Sequence, residues 1–357
     1  MIDTIKFLVP IDDIRLLQKI KTTFTQIKKS DLKTGKIDYE FYTSSVNLGS
    51  HNRNVSIRIS DTKPIGIFIE FSVPKYEKGN NIEMTHPSDL NKILEKFYKE
   101  ACSHIEYTLP HFSTWQIYRL DICYNWIFKN TTEAEAVMSF IQRIDYPRKK
   151  KSTYNTSVMY VGTAYTIKFY LKGAEFRKND FKKIKDDEAI KLLPWADRMV
   201  RFEIGFKKRY LKDVFGYEPL LAEHIQEDEQ IEWLLSYYLN DKVFCYVTPK
   251  NTTEAQIVEK LESVFSKTKS TRLFQFHKDF NLESGTTRSL ILSGGLNRST
   301  IYRNKKDLKK ADVGFDISNS LKSGLIEQLV IPSGNSKFDL VDFPKEDTTV
   351  RGKEEVV

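Results

Sequence analysis

The sequence predicts an α+β protein: a mainly antiparallel sheet covered by helices on one face, followed by a mainly helical C-terminal domain. Four stretches alternate apolar and polar residues with the two-residue period of a half-buried strand, and stretches of helical apolar spacing lie between them. Such interleaving suits an antiparallel sheet with helices packed on one side, leaving the other side as a working face. Beyond residue 214 the long alternating runs stop and helical spacing takes over. A chain of 357 residues, 40% hydrophobic and 13% aromatic, can bury two cores.

In chain order, residues 5–10 read as a short strand stopped by Pro10, and Asp12 or Asp13 can cap a helix with Ile14, Leu17 and Ile20 on its inner face. Lys36 to Val46 and Val55 to Ser60 form a hairpin around Gly49, His51 and Asn52. Ile65 to Val73 is a strand ended by Pro74, with Glu70 at its centre. A polar loop is expected over Lys75 to Met84. Pro87, Ser88 and Asp89 then open a helix carrying Leu90, Ile93, Leu94, Phe97 and Ala101. In the strand Gln116 to Trp126, Leu120, Ile122, Tyr124 and Trp126 face one way and Arg119, Asp121, Cys123 and Asn125 the other. Thr131, Thr132 and Glu135 resemble a helix start.

A basic loop, Arg148 to Lys151, leads to the strand around Tyr170, and a charged linker is expected over Arg177 to Lys191. In Met199 to Phe206, Arg201 and Glu203 alternate with Val200, Phe202 and Ile204, the second case of an Arg followed two residues later by an acid. The expected domains are 1–213, 214–332 and a flexible polar tail, 333–357. Residues 287–313 have the form of helix, glycine turn, helix, which would bring Arg298, Thr300 and Arg303 to DNA. Simple helical packing explains that pattern almost as well.

The net charge is +8. Between Arg148 and Lys185 eleven Lys or Arg stand against two acids, a local +9 that exceeds the charge of the whole chain. A second basic group, Lys207, Lys208, Arg209 and Lys212, follows. Concentration of one sign favours a polyanionic partner over an ordinary solvated surface. Three widely spaced cysteines suggest neither a disulfide framework nor a thiolate zinc site. No apolar run approaches the roughly 20 residues of a membrane span, and the first residues lack the order of a signal peptide. The expectation is a cytoplasmic protein with no membrane partner.

Thr166, Lys168, Tyr170 and Lys172 share one face of their strand, which places a phenol between two ammonium groups. Cations beside a phenol of pKa about 10 ease its deprotonation and can hold a phosphate, a setting suited to attack on a phosphodiester. Tyr160, Tyr165 and Tyr210 are rival nucleophiles, and Tyr165 faces away from Tyr170 in a regular strand. Such chemistry calls for Mg2+ or Mn2+ on hard oxygen ligands. Asp121 and Glu203 are the leading candidates, with Glu70 and Glu175 weaker; each could equally be an acid paired with a neighbouring Arg. None of the six histidines forms a His-x-His pair.

Arg119-Leu120-Asp121, Lys168-Phe169-Tyr170-Leu171-Lys172, Val200-Arg201-Phe202-Glu203 and Lys208-Arg209-Tyr210-Leu211-Lys212, in this order, resemble the gene II replication proteins of filamentous phages and their plasmid relatives. The stretch at 295–303 and the opening Met1-Ile2-Asp3 match as well. The resemblance implies an HUH-like nuclease that initiates rolling-circle replication. Such a protein nicks one strand of supercoiled origin DNA, joins its tyrosine, here Tyr170, to the 5′-phosphate, and leaves a 3′-hydroxyl for the host polymerase and helicase. It later rejoins the displaced single strand without ATP. Lys168 and Lys172 would assist Tyr170. Arg119, Arg148, Lys149, Lys150, Lys151, Arg201, Lys207, Lys208 and Arg209 would contact DNA. Many rolling-circle nucleases hold metal through a His-hydrophobic-His pair; here acidic residues would replace it. The competing reading is a non-catalytic, sequence-specific DNA-binding regulator.

Overall fold

The computed structural model describes residues 1–30, 37–47, 54–60, 63–144, 146, 149–184, 186–244, 253–282, 296–314, 329 and 331. Its centre is one antiparallel sheet. The strands are β1 (Ile2–Pro10), β2 (Thr25–Ser30), β3 (Ile37–Asn47), β4 (Asn54–Ser60), β5 (Gly66–Ser72), β6 (Gln116–Ile127), β7 (Lys150–Tyr154), β8 (Ser157–Val161), β9 (Tyr165–Leu171) and β10 (Met199–Lys207). Their spatial order is β2-β3-β4-β5-β1-β6-β10-β9-β8-β7. The central strands β1, β6 and β10 come from distant parts of the chain, so the middle of the sheet is set by long-range pairing.

One face carries the core. Ile5, Phe7, Ile69, Phe71, Leu120, Ile122, Ile167, Phe169, Phe202 and Ile204 project into it. Helices α1 (Ile14–Thr22), α2 (Val73–Lys78), α3 (Leu90–Ile105) and α4 (Thr131–Ile141) contribute apolar stripes to the same core. The Asp13 carboxylate accepts the Arg15 and Leu16 amides at the start of α1, as the sequence suggests. For α4 the capping residue is Asn130, one position ahead of the expected threonines, with its Oδ1 2.9 Å from the Glu133 amide. Phe169 stacks on Phe202 at 4.8 Å, and Phe71 on Phe97 at 4.3 Å.

Several expectations are corrected. Pro74 does not lead into a loop: it sits in the first turn of α2, where its missing N–H costs nothing. The linker expected over Arg177 to Lys191 contains the end of α5 (Lys172–Asn179) and the start of α6 (Asp186–Asp197), which pack through Phe176, Ala189, Leu192 and Ala196. The basic loop at Lys150 and Lys151 is strand β7, paired with β8 in a hairpin. The first core also reaches past the expected boundary at 213. Leu211 and Phe215 of α7 (Lys208–Phe215) and Ile231, Leu234 and Leu235 of α8 (Asp228–Tyr237) belong to it, as does Val243.

A separate cluster joins α9 (Glu254–Glu262), α10 (Lys267–Leu282) and α11 (Arg298–Lys310) through Leu261, Leu273, Phe276, Ile301 and Leu308. The first helix and turn of the motif expected at 287–313 lie outside the described residues, as does the tail 333–357.

Phe202 lies between the rings of Phe169 and Trp126 in the centre of the sheet core. Phe202→Ala is expected to cost about 3–5 kcal/mol, read as a lower denaturation midpoint at unchanged slope in urea.

Candidate functional site

The antiparallel register gathers the polar residues of five strands, β1, β5, β6, β9 and β10, on the face away from the core. Arg201 lies opposite Tyr170, and Glu203 opposite Lys168. Gly205 lies opposite Asp121. Lys6 faces Glu70 on one side and Arg119 on the other. A Cβ on Gly205 would come within 2.8 Å of Asp121 Oδ1, so the missing side chain makes the space that the carboxylate uses. Asp121, Glu203, Arg119, Lys168 and Tyr170 line a cleft of about 500 Å³, with Lys75 and Lys178 also in its lining.

Two charge clusters occupy this face. In the first, Arg119 grips Asp121 with two hydrogen bonds, 2.9 Å from Nε and 2.5 Å from Nη2, and reaches Glu70 Oε1 with Nη1 at 2.9 Å. The other Glu70 oxygen is 3.2 Å from Lys6 Nζ. In the second, Glu203 accepts from Lys168 Nζ at 2.5 Å and from the Tyr170 hydroxyl at 3.2 Å. Burial pushes the Asp121 carboxyl up to about 7; Arg119 opposes that shift and the nearby Glu203 charge reinforces it. Lys168 is raised above its ordinary value: burial opposes its charge, and Glu203 more than compensates.

The Tyr170 phenol is not activated by flanking lysines in the way the strand pattern suggests. Burial holds its pKa well above 10; Arg201 pulls against this, while Glu203, Asp3 and Glu175 add to it. Lys172 leaves the expected face because the strand ends at Leu171 and Lys172 begins α5. It is fully buried and donates to Asn81 Oδ1 at 2.6 Å and to Glu175. Burial, with Arg201 nearby, brings it down to about 8.

Arg201, expected at the DNA, is likewise turned into the protein. It is fully buried and donates to Asn125 Oδ1 at 2.8 Å, Asp3 Oδ1 at 3.1 Å and the Asn81 carbonyl. Sequence reasoning missed Asp3, Asn81 and Asn125. Asn125 stands in the alternation of β6 beside Asp121, a usable signal, whereas Asn81 comes from a segment that carries no period.

The remaining basic candidates scatter. Lys149 turns to the helix-covered side, its ammonium 3.6 Å from the Tyr165 ring centroid. Lys150 is exposed and Lys151 half-buried on edge strand β7. Lys207, Lys208 and Arg209 are exposed at the end of β10 and the start of α7. Arg303 is exposed and Thr300 half-buried on α11. Arg148 and the Arg298 side chain lie outside the described residues. The rival tyrosines turn away from the cleft. Tyr165 meets the Tyr146 hydroxyl at 2.5 Å and stacks on Tyr210, and Tyr160 donates to the Ile144 carbonyl at 2.7 Å.

A carboxyl raised from the ordinary range to about 7 stays protonated in the folded protein while the unfolded chain ionises it. Stability is therefore lost as pH rises through that interval, and the loss is complete above about 7. Asp121→Asn should melt above wild type at pH 8, with the gap closing as pH falls toward the ordinary carboxylate range; equal melting temperatures at both ends would contradict this. Gly205→Ala should displace the Asp121 carboxylate and erase that pH dependence, measured by the same melts.

Residues 1–227 match the family model for the N-terminal part of the gene II replication-associated protein. A solved chain titled "Structure of Rolling Circle Replication Initiator Protein from Geobacillus stearothermophilus" is a distant likeness: 10% identity, a TM-score of 0.34, 72% of this chain and 89% of that one covered. No curated protein matches. The family match takes in every strand of the sheet and the residues that line the cleft, and the chain belongs to the gene II-type family of replication-associated proteins.

Proposed function

We propose that the protein is a rolling-circle replication initiator that nicks one strand of origin DNA with Tyr170 and later rejoins it. The observation that supports this most is the shared carboxylate: Glu203 accepts hydrogen bonds from both the Tyr170 hydroxyl and Lys168 at the edge of an open cleft. Glu203 is placed to take the phenolic proton as the Tyr170 oxygen bonds to phosphorus. The bond from phosphorus to the 3′ oxygen breaks, and that oxygen takes a proton from water and leaves as a 3′-hydroxyl. The 5′-phosphotyrosyl ester keeps the energy of the broken bond, so the reverse attack closes the displaced strand.

Lys168, with Lys75 and Lys178 lining the same cleft, supplies positive charge for the phosphate. Because burial keeps Tyr170 protonated, the nucleophile is idle until DNA and its counter-charges reach the cleft. The exposed 3′ end is the primer that a host polymerase and helicase would use in the bacterial cytoplasm. No helix among the described residues is long and apolar enough to cross a membrane.

Mg2+ or Mn2+ fits the donor set through Asp121 and Glu203. Both carboxylates line the cleft as hard oxygen donors, and Glu203 adds to the burial that raises Asp121, a shift that a bound divalent ion would reverse. When bound, such an ion neutralises the non-bridging phosphate oxygens. Among the described residues no three His, Cys, Asp or Glu side chains converge as a ready-made cage, so water and phosphate would complete the shell. Glu70, held by Lys6 and Arg119, is better placed to steady Arg119 than to bind metal.

The test is a covalent protein–DNA adduct on a labelled origin strand with Mg2+ or Mn2+, resolved under denaturing conditions. Tyr170→Phe should abolish it, and Glu203→Gln should slow its formation by about 10²–10⁴-fold. Unchanged adduct in Tyr170→Phe would remove the assignment. Salt-dependent binding with no adduct from the unaltered protein would mark a non-catalytic DNA-binding regulator instead.

A further inference from the structure

Beside the cleft, the same sheet face carries a pair of aromatic rings that the nicking chemistry does not use. Phe68 on β5 and Tyr118 on β6 meet edge to face, 5.1 Å between centroids at 73°. Both rings are half-buried. Lys6 lies over Phe68 at 5.2 Å, and Lys208 lies over Tyr118 at 4.0 Å while donating to its hydroxyl at 2.6 Å. Arg58, opposite Phe68 on β4, is exposed.

Tyr118 reaches this pair through an irregularity. Strict alternation would send it to the face opposite Arg119. The register between β1 and β6 shifts here: Lys6 pairs with Arg119 and Phe7 with Ile117, leaving Tyr118 without a partner on β1. A bulge of this kind re-aims a side chain, and bulges gather beside functional sites. Tyr118 and Arg119 thereby serve neighbouring parts of one surface, Arg119 in the cleft lining and Tyr118 in the aromatic pair.

We infer that Phe68 and Tyr118 form a stacking platform for unpaired bases of the DNA strand whose phosphate enters the cleft, with Lys6, Lys208 and Arg58 beside its backbone. The proposal rests on the DNA-nicking reading for its ligand. Rings flanked by ammonium groups beside a cleft lined by Lys75, Lys168 and Lys178 match single-stranded nucleic acid in both chemistry and charge. A duplex keeps its bases stacked within itself and offers these rings nothing. The platform therefore selects the melted strand, as a nickase that acts on supercoiled DNA requires.

The test titrates the full chain against a short fluorescein-labelled single strand and against the same sequence as a duplex, at several salt concentrations. Tyr118→Leu should weaken single-strand binding about tenfold, leave duplex binding unchanged, and keep the slope of affinity against salt, because stacking releases no counterions. Tyr118→Phe should retain the parental affinity. Phe68→Leu gives an independent reading should Tyr118→Leu lower the melting temperature. Parental single-strand affinity in both Leu variants would overturn the platform, as would equal losses on single strand and duplex, or a Phe variant as weak as Leu. The titration reads binding and not cleavage. Failure of the platform therefore leaves the Tyr170 adduct assay untouched, and loss of the nicking reading would leave these affinities standing.

Discussion

The buried guanidinium of Arg201 is the interaction on which the site depends. It bonds Asp3 on β1, Asn125 on β6 and the carbonyl of Asn81, and it lies opposite Tyr170 across the β9–β10 ladder. These groups come from widely separated parts of the chain. Burying a charge is expensive, and satisfying it from several segments makes those segments interdependent. Lys172 extends the same arrangement, since it also bonds Asn81 and ties α5 to it through Glu175. The floor beneath Tyr170 is thus a polar layer centred on two fully buried cations, Arg201 and Lys172.

Above that layer the charges are balanced differently. Asp121 is held by Arg119, Arg119 by Glu70 and Glu70 in turn by Lys6, while Glu203 is shared by Lys168 and Tyr170. Burial, reinforced by the Glu203 charge, raises the Asp121 carboxyl to about 7, and burial raises the Tyr170 phenol. The Tyr170 hydroxyl is already hydrogen-bonded to the Glu203 carboxylate. Each of the two acids thus has a cationic partner of its own, Arg119 for Asp121 and Lys168 for Glu203.

The sheet lends itself to this use because its two faces are specialised. The apolar face packs aromatic rings against four N-terminal helices and, through α7 and α8, continues beyond residue 213. The polar face is supported on that rigid layer, so the site sits on strands and not on loops, and its distances follow from ladder register. Gly205 illustrates the dependence: its position opposite Asp121 is a matter of register, and the space it leaves is used by a residue on the neighbouring strand.

Much of this face was legible from the sequence. The alternation in β5, β6, β9 and β10 puts Glu70, Arg119, Asp121, Lys168, Tyr170 and Glu203 on one side and turns Tyr165 to the other, because side chains on a strand alternate whatever the strand is paired with. The two Arg-x-acid patterns and the local charge around Tyr170 are likewise properties of the chain itself. Three things needed the tertiary structure. Lys172 lost its place because period two holds only while the strand lasts, and nothing in Leu171 or Lys172 announces the change to helix. Arg201 looked like its half-buried counterpart Arg119 on the neighbouring strand, but Asp3, Asn81 and Asn125 close around it. Tyr118 joined Phe68 through a register shift against β1, a strand more than a hundred residues earlier in the chain. Which face a residue occupies is local information; which residue stands opposite it, and how deep, is decided by pairing between distant segments.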